Sequence, residues 1–306
     1  MATAPYTSTH TLIPSEPFDF HETVTSHGWY VLKPNFWDSE KSVFSRVEQL
    51  SNGTVVCWRV HHAANSSDPQ IHIEIDSAIE LTNDQCKEVL GCIRYMFRMD
   101  EDLTGFYQRC TIAGGRWKKL ANGSGRLLRS PTLFEDLVKT ICTTNVHWSG
   151  TIRMVAGLVD ELGKPLAWDE NLKAFPTFSE ILSAEKGLFE NTVKLGYRAA
   201  YVLEIASIIQ NGLLDLEALR YSELPTEELR QRLMGLKGIG KYGAAILLMF
   251  MERYDDLPVD SVFRDFVTKE YFDGRNVSEA KMREVYLGWA EWSFLAFWFD
   301  MWGNEE

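Results

Sequence analysis

The pattern of apolar and polar residues changes its period within the first third of the chain. Before that point, apolar residues form short runs rich in β-branched side chains, and the run 71–76 alternates strictly between apolar and polar positions. Such a pattern is typical of strands with one buried face. Asn52-Gly53 lies between two of these runs and predicts a tight hairpin. The predicted strands are 29–32, 42–47, 55–60 and 71–76, with a loop over 63–69.

From residue 82 onward the apolar positions repeat with a helical period. Thr82, followed three residues later by Gln85, has the spacing of a capping box and predicts a helix that ends near Met99. A glycine-rich stretch over 114–125 then interrupts the pattern. Further helices are predicted over 133–143, 149–162, 178–184, 199–210, 226–236, 242–254, 261–272 and 278–299.

This order of elements predicts the α+β class. We expect a small antiparallel β-sheet domain over residues 1–105, followed by an all-helical domain over residues 106–306. The chain has 306 residues, of which 45% are apolar, which is enough to bury a core.

The composition limits the classes of function. No run approaches the roughly 18 apolar residues that a membrane span needs, and the first ten residues contain no Lys or Arg. We therefore expect an intracellular protein, in the nucleus of a eukaryote or in the cytoplasm and nucleoid of a bacterium. The five cysteines are odd in number and form no pair of C-x-x-C elements, so we expect neither a disulfide framework nor a zinc site.

The net charge of −12 argues against a nucleic-acid partner, but the charges are unevenly distributed. Residues 103–134 contain no Asp or Glu. This stretch is either a loop that lacks acids by chance or a strip that faces phosphates. Its basic residues are Arg109, Arg116, Lys118, Lys119, Arg126 and Arg129.

The stretch 233–245 carries the most specific motif. An amphipathic helix ends near Leu236, Gly238 and Gly240 provide a tight turn with positive φ, and a nearly all-apolar helix follows. The free amides at the start of that second helix suit a phosphate. An ordinary helix–turn–helix connection is the alternative, because G-x-G alone is a weak signal.

Asp260 follows Gly240 by twenty residues and directly precedes the next helical run. The simplest interpretation is an N-cap. Helix amides and the helix dipole also favour the ionised carboxylate. Beside a DNA-binding turn, such a carboxylate can stabilise the positive charge that develops on a sugar when its N-glycosidic bond breaks.

Together, the hairpin and the later Pro-Val-Asp resemble the helix–hairpin–helix DNA glycosylase superfamily, which is named for the hairpin and a Gly/Pro loop followed by Asp. Residues 93–103 resemble its 3-methyladenine glycosylase II branch, and 126–129, 141–145, 196–199 and 288–290 resemble its 8-oxoguanine branch. The resemblance implies a β-sheet domain followed by two helical subdomains that flank a DNA-binding cleft.

The resemblance also implies roles for particular residues. Asp260 would be the catalytic carboxylate. Asn145 would fill the space left by the extruded nucleotide, while Tyr197 would act as a wedge and Arg198 would contact the partner base. The remaining DNA contacts would come from Lys237, Gly238, Gly240, Lys241 and Arg129. In relatives, the hairpin carbonyls also bind a monovalent cation.

The chain departs from the superfamily at informative positions. Tyr242 stands where bifunctional members have a lysine nucleophile, and Lys241 is displaced by about 100° around the helix. Glu291 replaces the glutamine that reads 8-oxoguanine, and no cysteine follows Asp260, so no iron–sulfur cluster is expected. We assign Tyr242, Glu291 and Trp292 to a base pocket that favours cationic, alkylated purines. Packing in the core is the alternative for Trp292, which belongs to an aromatic stripe with helical spacing.

The predicted function is therefore a monofunctional, base-excision-repair DNA glycosylase. It would act as a monomer on double-stranded DNA that contains a damaged base, with water as the nucleophile, and without a required cofactor or metal. Two alternatives remain open. The protein could be a bifunctional 8-oxoguanine-type glycosylase and lyase that uses Lys241, or a non-catalytic protein that binds damaged DNA.

Overall fold

A five-stranded antiparallel sheet forms the first part of the computed structural model, which describes residues 5–62 and 70–302. Its strand order is β1-β5-β4-β3-β2. The predicted strands 42–47, 55–60 and 71–76 are confirmed, and Gly53 closes the β3–β4 hairpin with φ +84°. The predicted loop 63–69 lies outside the described residues. The strands are β1 Tyr6–Leu12, β2 Asn35–Asp38, β3 Val43–Gln49, β4 Val55–His62 and β5 Ile71–Ser77.

The predicted strand over 29–32 is wrong, because this segment forms the 3-10 turn Gly28–Val31. Trp29 is buried there, and its indole nitrogen donates a hydrogen bond to Asp136 at 2.8 Å. Strands β1 and β2 were not predicted from the sequence. β1 is an edge strand, rich in threonine, whose residues are largely exposed, so it lacks the apolar runs that mark the other strands.

Fourteen helices occur in the described residues, and most of the predicted ones are confirmed. Thr82 and Gln85 form the predicted capping box. The predicted helix 278–299 is wrong because the backbone breaks at Ala290, which has φ +47°. The helices are α1 Phe20–Val24, α2 Asn83–Met96, α3 Thr104–Ala113, α4 Leu133–Thr143, α5 Trp148–Leu162, α6 Phe178–Ser183, α7 Lys186–Asn191, α8 Arg198–Gln210, α9 Leu216–Arg220, α10 Thr226–Met234, α11 Lys241–Phe250, α12 Ser261–Tyr271, α13 Glu279–Glu284 and α14 Ser293–Trp302, with 3-10 segments at Gly115–Asn122 and Leu287–Trp292.

The part after residue 105 is not entirely helical. A short antiparallel ribbon, β6 Pro165–Leu166 and β7 Asp169–Lys173, follows α5. Leu166 and Ala174 pack with Val47 of β3 in a small buried cluster. The ribbon therefore covers part of the outer face of the sheet. The mixed α and β composition is confirmed, while the domain boundary at residue 105 stays a prediction.

Helix α4 is the centre of the molecule, since every residue from Leu133 to Cys142 is buried. A buried ion cluster joins it to the sheet: Arg46 of β3 donates two hydrogen bonds to Glu135, at 2.9 and 2.6 Å, and Lys139 contacts Glu135 at 2.7 Å. The first turns of α4 are thereby anchored to the sheet. Within residues 5–62 and 70–302, no helix is long and apolar enough to cross a membrane.

Candidate active site

The turn between α10 and α11 has the backbone of a helix–hairpin–helix. Gly238 has φ +87°, which L side chains rarely adopt, and a Cβ at this position would lie 2.6 Å from the ring of Tyr201. Gly240 is the N-cap of α11 with φ −90°, and a Cβ there would meet nothing within 4 Å. The expectation of positive φ is therefore confirmed for Gly238 and wrong for Gly240.

The start of α11 is open to an anion. No side chain caps this helix, and the first backbone amides of a helix have no partner inside it. These amides and the helix dipole together favour a negatively charged group at the turn. The geometry therefore suits the predicted phosphate contact.

Asp260 is the N-cap of α12, as the sequence predicted. Its Oδ1 accepts a hydrogen bond from the amide of Phe263 at 2.8 Å, and its carbonyl accepts one from the amide of Arg264 at 3.0 Å. The side chain is half-buried. The carboxylate is therefore held in one orientation at the wall of a cleft.

The cleft contains a cavity of about 480 Å³ between the end of α4, the start of α8, the hairpin and the start of α12. This volume lies in the range of small-molecule sites. The structure thus brings together residues that are far apart in sequence. The predicted site residues that line the cavity are Asn145, Tyr197, Gly238, Gly240, Tyr242 and Asp260.

Tyr242 has its ring in the cleft, with 41% of its surface exposed. Desolvation by the cleft walls, and then the nearby charge of Asp260, raises the pKa of Tyr242 to about 12. The phenol is therefore neutral at physiological pH and presents an aromatic surface and a hydroxyl group. It cannot act as the amine that a Schiff base requires.

Asn145 and Tyr197 meet at the edge of the cleft. Asn145 follows the end of α4 with φ +47°, and its Nδ2 donates to the hydroxyl of Tyr197 at 3.3 Å. Tyr197 is 50% exposed, although it is an aromatic residue. An exposed ring and an amide thus lie together at the edge of the cleft, and their roles as wedge and space-filling residue stay predictions.

Arg198 was predicted to contact the partner base, but its guanidinium points into the protein. It donates to the carbonyl of Thr144, and at 3.4 Å to the carbonyls of Asn145 and Leu195. The side chain is buried. A cation at a helix C-terminus stabilises the last carbonyls, so Arg198 holds the turn that presents Asn145 and does not face a partner base.

Arg129, predicted to contact DNA, is also buried, and its guanidinium is engaged inside the protein. It donates to the carbonyls of Tyr95 and Phe250 at 2.9 and 2.6 Å, and to Glu252 at 2.9 Å. Arg126 is likewise buried and bonds to main-chain carbonyls. The proposed basic strip therefore loses two of its members, and Arg129 instead stabilises the C-terminal end of α11.

Glu291 and Trp292 are not among the residues that line the cavity. Glu291 is exposed and lies 3.7 Å from Arg109. Trp292 stacks on Tyr254 with ring centres 5.5 Å apart and also packs against Phe106. Their assignment to a base pocket is corrected: Glu291 is exposed to solvent, and Trp292, next to the break at Ala290, is partly buried and packs against the core.

The two lysines of the hairpin are exposed. Lys237 forms an ion pair with Glu204, which raises its pKa. Lys241 occupies the first position of α11 and is not among the cavity-lining residues. The charge of Lys237 thus has a carboxylate partner at the surface, whereas the Lys241 side chain is not part of the cavity wall.

Sequence reasoning missed several cavity residues. Tyr201 lies one helical turn after Tyr197, and their rings meet edge to face at 5.6 Å. The i, i+4 spacing of the two tyrosines was the signal that could have identified it. Thr143 and Val262 also line the cavity, and Val262 is 48% exposed beside Asp260. The missed residues therefore add another aromatic ring and several hydroxyl groups to the cleft.

The cleft therefore combines a hairpin turn that no side chain caps with a carboxylate held in one orientation, in a mixed α and β fold. No protein-family model matches the chain. A protein of Arabidopsis thaliana, provisionally named as a DNA glycosylase, is 31% identical over 137 residues, which are 42% of this chain and 41% of its own length. The match thus spans less than half of that relative.

Solved structures match almost the whole chain. A 3-methyladenine DNA glycosylase from Archaeoglobus fulgidus superposes with a TM-score of 0.73 at 22% identity, covering 96% of this chain and 99% of its own. The Clostridium acetobutylicum 8-oxoguanine glycosylase/lyase gives 0.70 at 18% identity, covering 99% and 100%. The chain therefore has the same fold as these two DNA glycosylases, and the resemblance in fold that its sequence predicted is confirmed. The two branches match almost equally well.

Proposed function

We propose that this protein is a monofunctional DNA glycosylase that removes a damaged base by hydrolysis. The observation that carries the proposal is the shared cavity. Asp260 and the Gly238–Gly240 turn line it together, and Tyr242 stands there in place of an amine nucleophile. A phosphate held at the turn would bring the attached deoxyribose close to the carboxylate.

The surface of the cleft suits an extruded nucleotide. The amides of α11 would hold the backbone, while Tyr197 and Asn145 would enter the gap left in the duplex. Base extrusion costs a few kcal/mol of unstacking, which such contacts offset. Arg198 contributes indirectly because it fixes the turn that carries Asn145.

In the chemical step, the bond between C1′ and the base nitrogen breaks, and its electron pair leaves with the base. Positive charge develops on the sugar, and the Asp260 carboxylate stabilises it. Water then forms the new bond to C1′ and releases a proton, which leaves an abasic site and a free base. The hydrogen bond from Phe263 fixes one carboxylate oxygen, so little reorganisation is needed.

Alkylated purines are the substrate class that we propose. Their cationic rings interact favourably with aromatic faces and with a nearby carboxylate. Tyr242, Tyr201 and Asp260 provide both in the cavity. This set replaces the pocket of Glu291 and Trp292 that the sequence suggested, and the preference for a cationic base is retained.

The test measures base release in single turnover from duplexes that contain alkylated purines, 8-oxoguanine, hypoxanthine, ethenoadenine or uracil. Asp260→Asn keeps an N-cap but loses the charge, so we expect a rate loss of about 10²–10³ with little change in stability. Asp265→Asn, on the exposed face of α12, is the matched control and should retain the parent rate. Equal rates in the parent and Asp260→Asn would refute the assigned role.

Borohydride separates this proposal from the alternatives, because it traps only an imine between protein and DNA. We expect no covalent adduct with the parent protein. An adduct that disappears in Lys241→Ala would establish the bifunctional alternative. Tight binding of damaged duplexes, without base release from any of them, would establish the non-catalytic one.

A further inference from the structure

A second cavity, of about 470 Å³, lies at the other end of α4 from the cleft. It opens between the end of β3, the start of α4, the segment before α6 and the turn between α8 and α9. Its apolar wall contains Phe134, Phe175 and Phe178, and the rings of Phe134 and Phe178 meet edge to face at 6.0 Å. The cavity is large enough for one or two large side chains.

The charged side chains that line this cavity are all acidic. Glu48, Glu135, Asp215 and Glu217 contribute carboxylates, and the described lining contains no Lys, Arg or His. The amide oxygen of Gln49 is buried there without a hydrogen-bond partner. An occupant with positive charge and hydrogen-bond donors fits this lining, whereas a phosphate would be repelled.

The carboxylates are not equally neutralised by the protein. Glu48 and Glu135 pair with the buried Arg46, and Glu217 pairs with Arg220 at 2.7 Å. Asp215, at the rim, has no basic side chain within 4 Å in the described part of the chain, and its Oδ1 accepts only the amide of Ala218, at 2.9 Å. The rim therefore has negative charge that a partner could neutralise.

Apolar surface continues outside the cavity. Leu213 stands between two lining residues, Gly212 and Leu214, and is 78% exposed. Tyr221, directly after α9, is 69% exposed. Exposed apolar side chains beside a pocket mark interaction surfaces. An occupant that covers them must extend beyond the cavity, which favours a polypeptide over a free small molecule.

We propose that this cavity and its rim bind a segment of another protein in which an apolar or aromatic side chain lies next to Lys or Arg. The apolar side chain fills the cavity against the phenylalanine rings, and a neighbouring basic side chain reaches Asp215 at the rim. This site does not depend on the chemistry proposed for Asp260, and its acidic lining separates it from any DNA-binding surface.

The test uses the full chain with labelled Ile and Leu methyl groups and two fluorescent decapeptides. One peptide contains Phe-Leu flanked by Lys and Arg, and in the other the basic residues are replaced by Glu. We expect the basic peptide to shift the methyl signals of Ile209, Leu214 and Leu216, which line the cavity. The acidic peptide should leave these signals unchanged.

Two exposed substitutions measure the contributions of charge and of apolar contact. Asp215→Asn keeps the helix cap and should lower the affinity for the basic peptide by about two- to fivefold at low salt. Leu213→Ser should also lower the affinity for this peptide. Asp273→Asn, at an exposed acidic residue on another surface, should leave the affinity unchanged. Equal binding of both peptides, shifts confined to other methyl groups, or no shift at millimolar peptide would overturn the proposal. Asp260→Asn should bind the peptide as the parent does, so the failure of one proposal is distinguishable from the failure of the other.

Discussion

Gly238→Ala, compared with Gly240→Ala, tests whether the hairpin depends on the backbone of one glycine. At Gly238 the substitution meets two obstacles. Its φ of +87° is left-handed, which costs an L residue about 1–2 kcal/mol. The new Cβ would also lie 2.6 Å from Cδ2 and 3.2 Å from Cγ of Tyr201. These atoms are close to the backbone of α8, so the ring cannot swing away, and overpacking adds about 1–3 kcal/mol.

We therefore expect Gly238→Ala to lower the free energy of unfolding by roughly 2–5 kcal/mol. Gly240→Ala is the matched control, because φ is −90° and a Cβ there meets nothing within 4 Å. It changes only the residue type at the N-cap, which costs no more than about 1 kcal/mol.

Urea unfolding of both variants, followed by tryptophan fluorescence, measures the difference. Binding of a duplex that contains an abasic-site analogue provides the functional reading, because displacement of Tyr201 also disturbs the cleft. Unfolding midpoints that agree for the two variants would show that the turn tolerates a side chain at 238, and the account of the hairpin given above would then be wrong.

Three further predictions follow from other parts of the structure. Arg198→Met leaves the carbonyls after α4 without a hydrogen-bond donor, so it should slow single-turnover base release and lower the free energy of unfolding by about 1–3 kcal/mol. Arg198→Lys should restore part of the rate. Loss of stability with an unchanged rate would contradict the positioning role. Burial lowers the pKa of His27 to about 3. As the pH falls below 6.5, the imidazole is therefore protonated in the unfolded state before it is protonated in the folded state. Between pH 7 and pH 5 the free energy of unfolding of the parent should fall by about 2 kcal/mol relative to that of His27→Gln, as measured by urea unfolding at each pH. In a plot of log affinity for DNA against log salt concentration, Lys237→Ala should reduce the steepness of the slope by about one. Lys41→Ala, at an exposed lysine in the turn between β2 and β3, should leave the slope unchanged.

The fold and the site differ in how far the sequence predicted them. The capping box at Thr82, the hairpin at Asn52-Gly53 and the N-cap at Asp260 were all predicted and are present. Each depends on bonds between residues a few positions apart, so the local sequence contains the information. The helix over 278–299 failed because aromatic residues continue on both sides of the break at Ala290, and the pattern alone does not show a single left-handed residue.

The sequence by itself determined the hairpin, the position of the carboxylate after it, and the absence of a lysine at 242, because turns, caps and spacing are local properties of a chain. Only the tertiary structure decided which charged residues face solvent. Arg129 and Arg198 read as DNA contacts, yet each stabilises the C-terminal carbonyls of a helix inside the protein. A guanidinium can donate hydrogen bonds to a phosphate or to a row of carbonyls, and which of the two lies beside it depends on how distant segments pack.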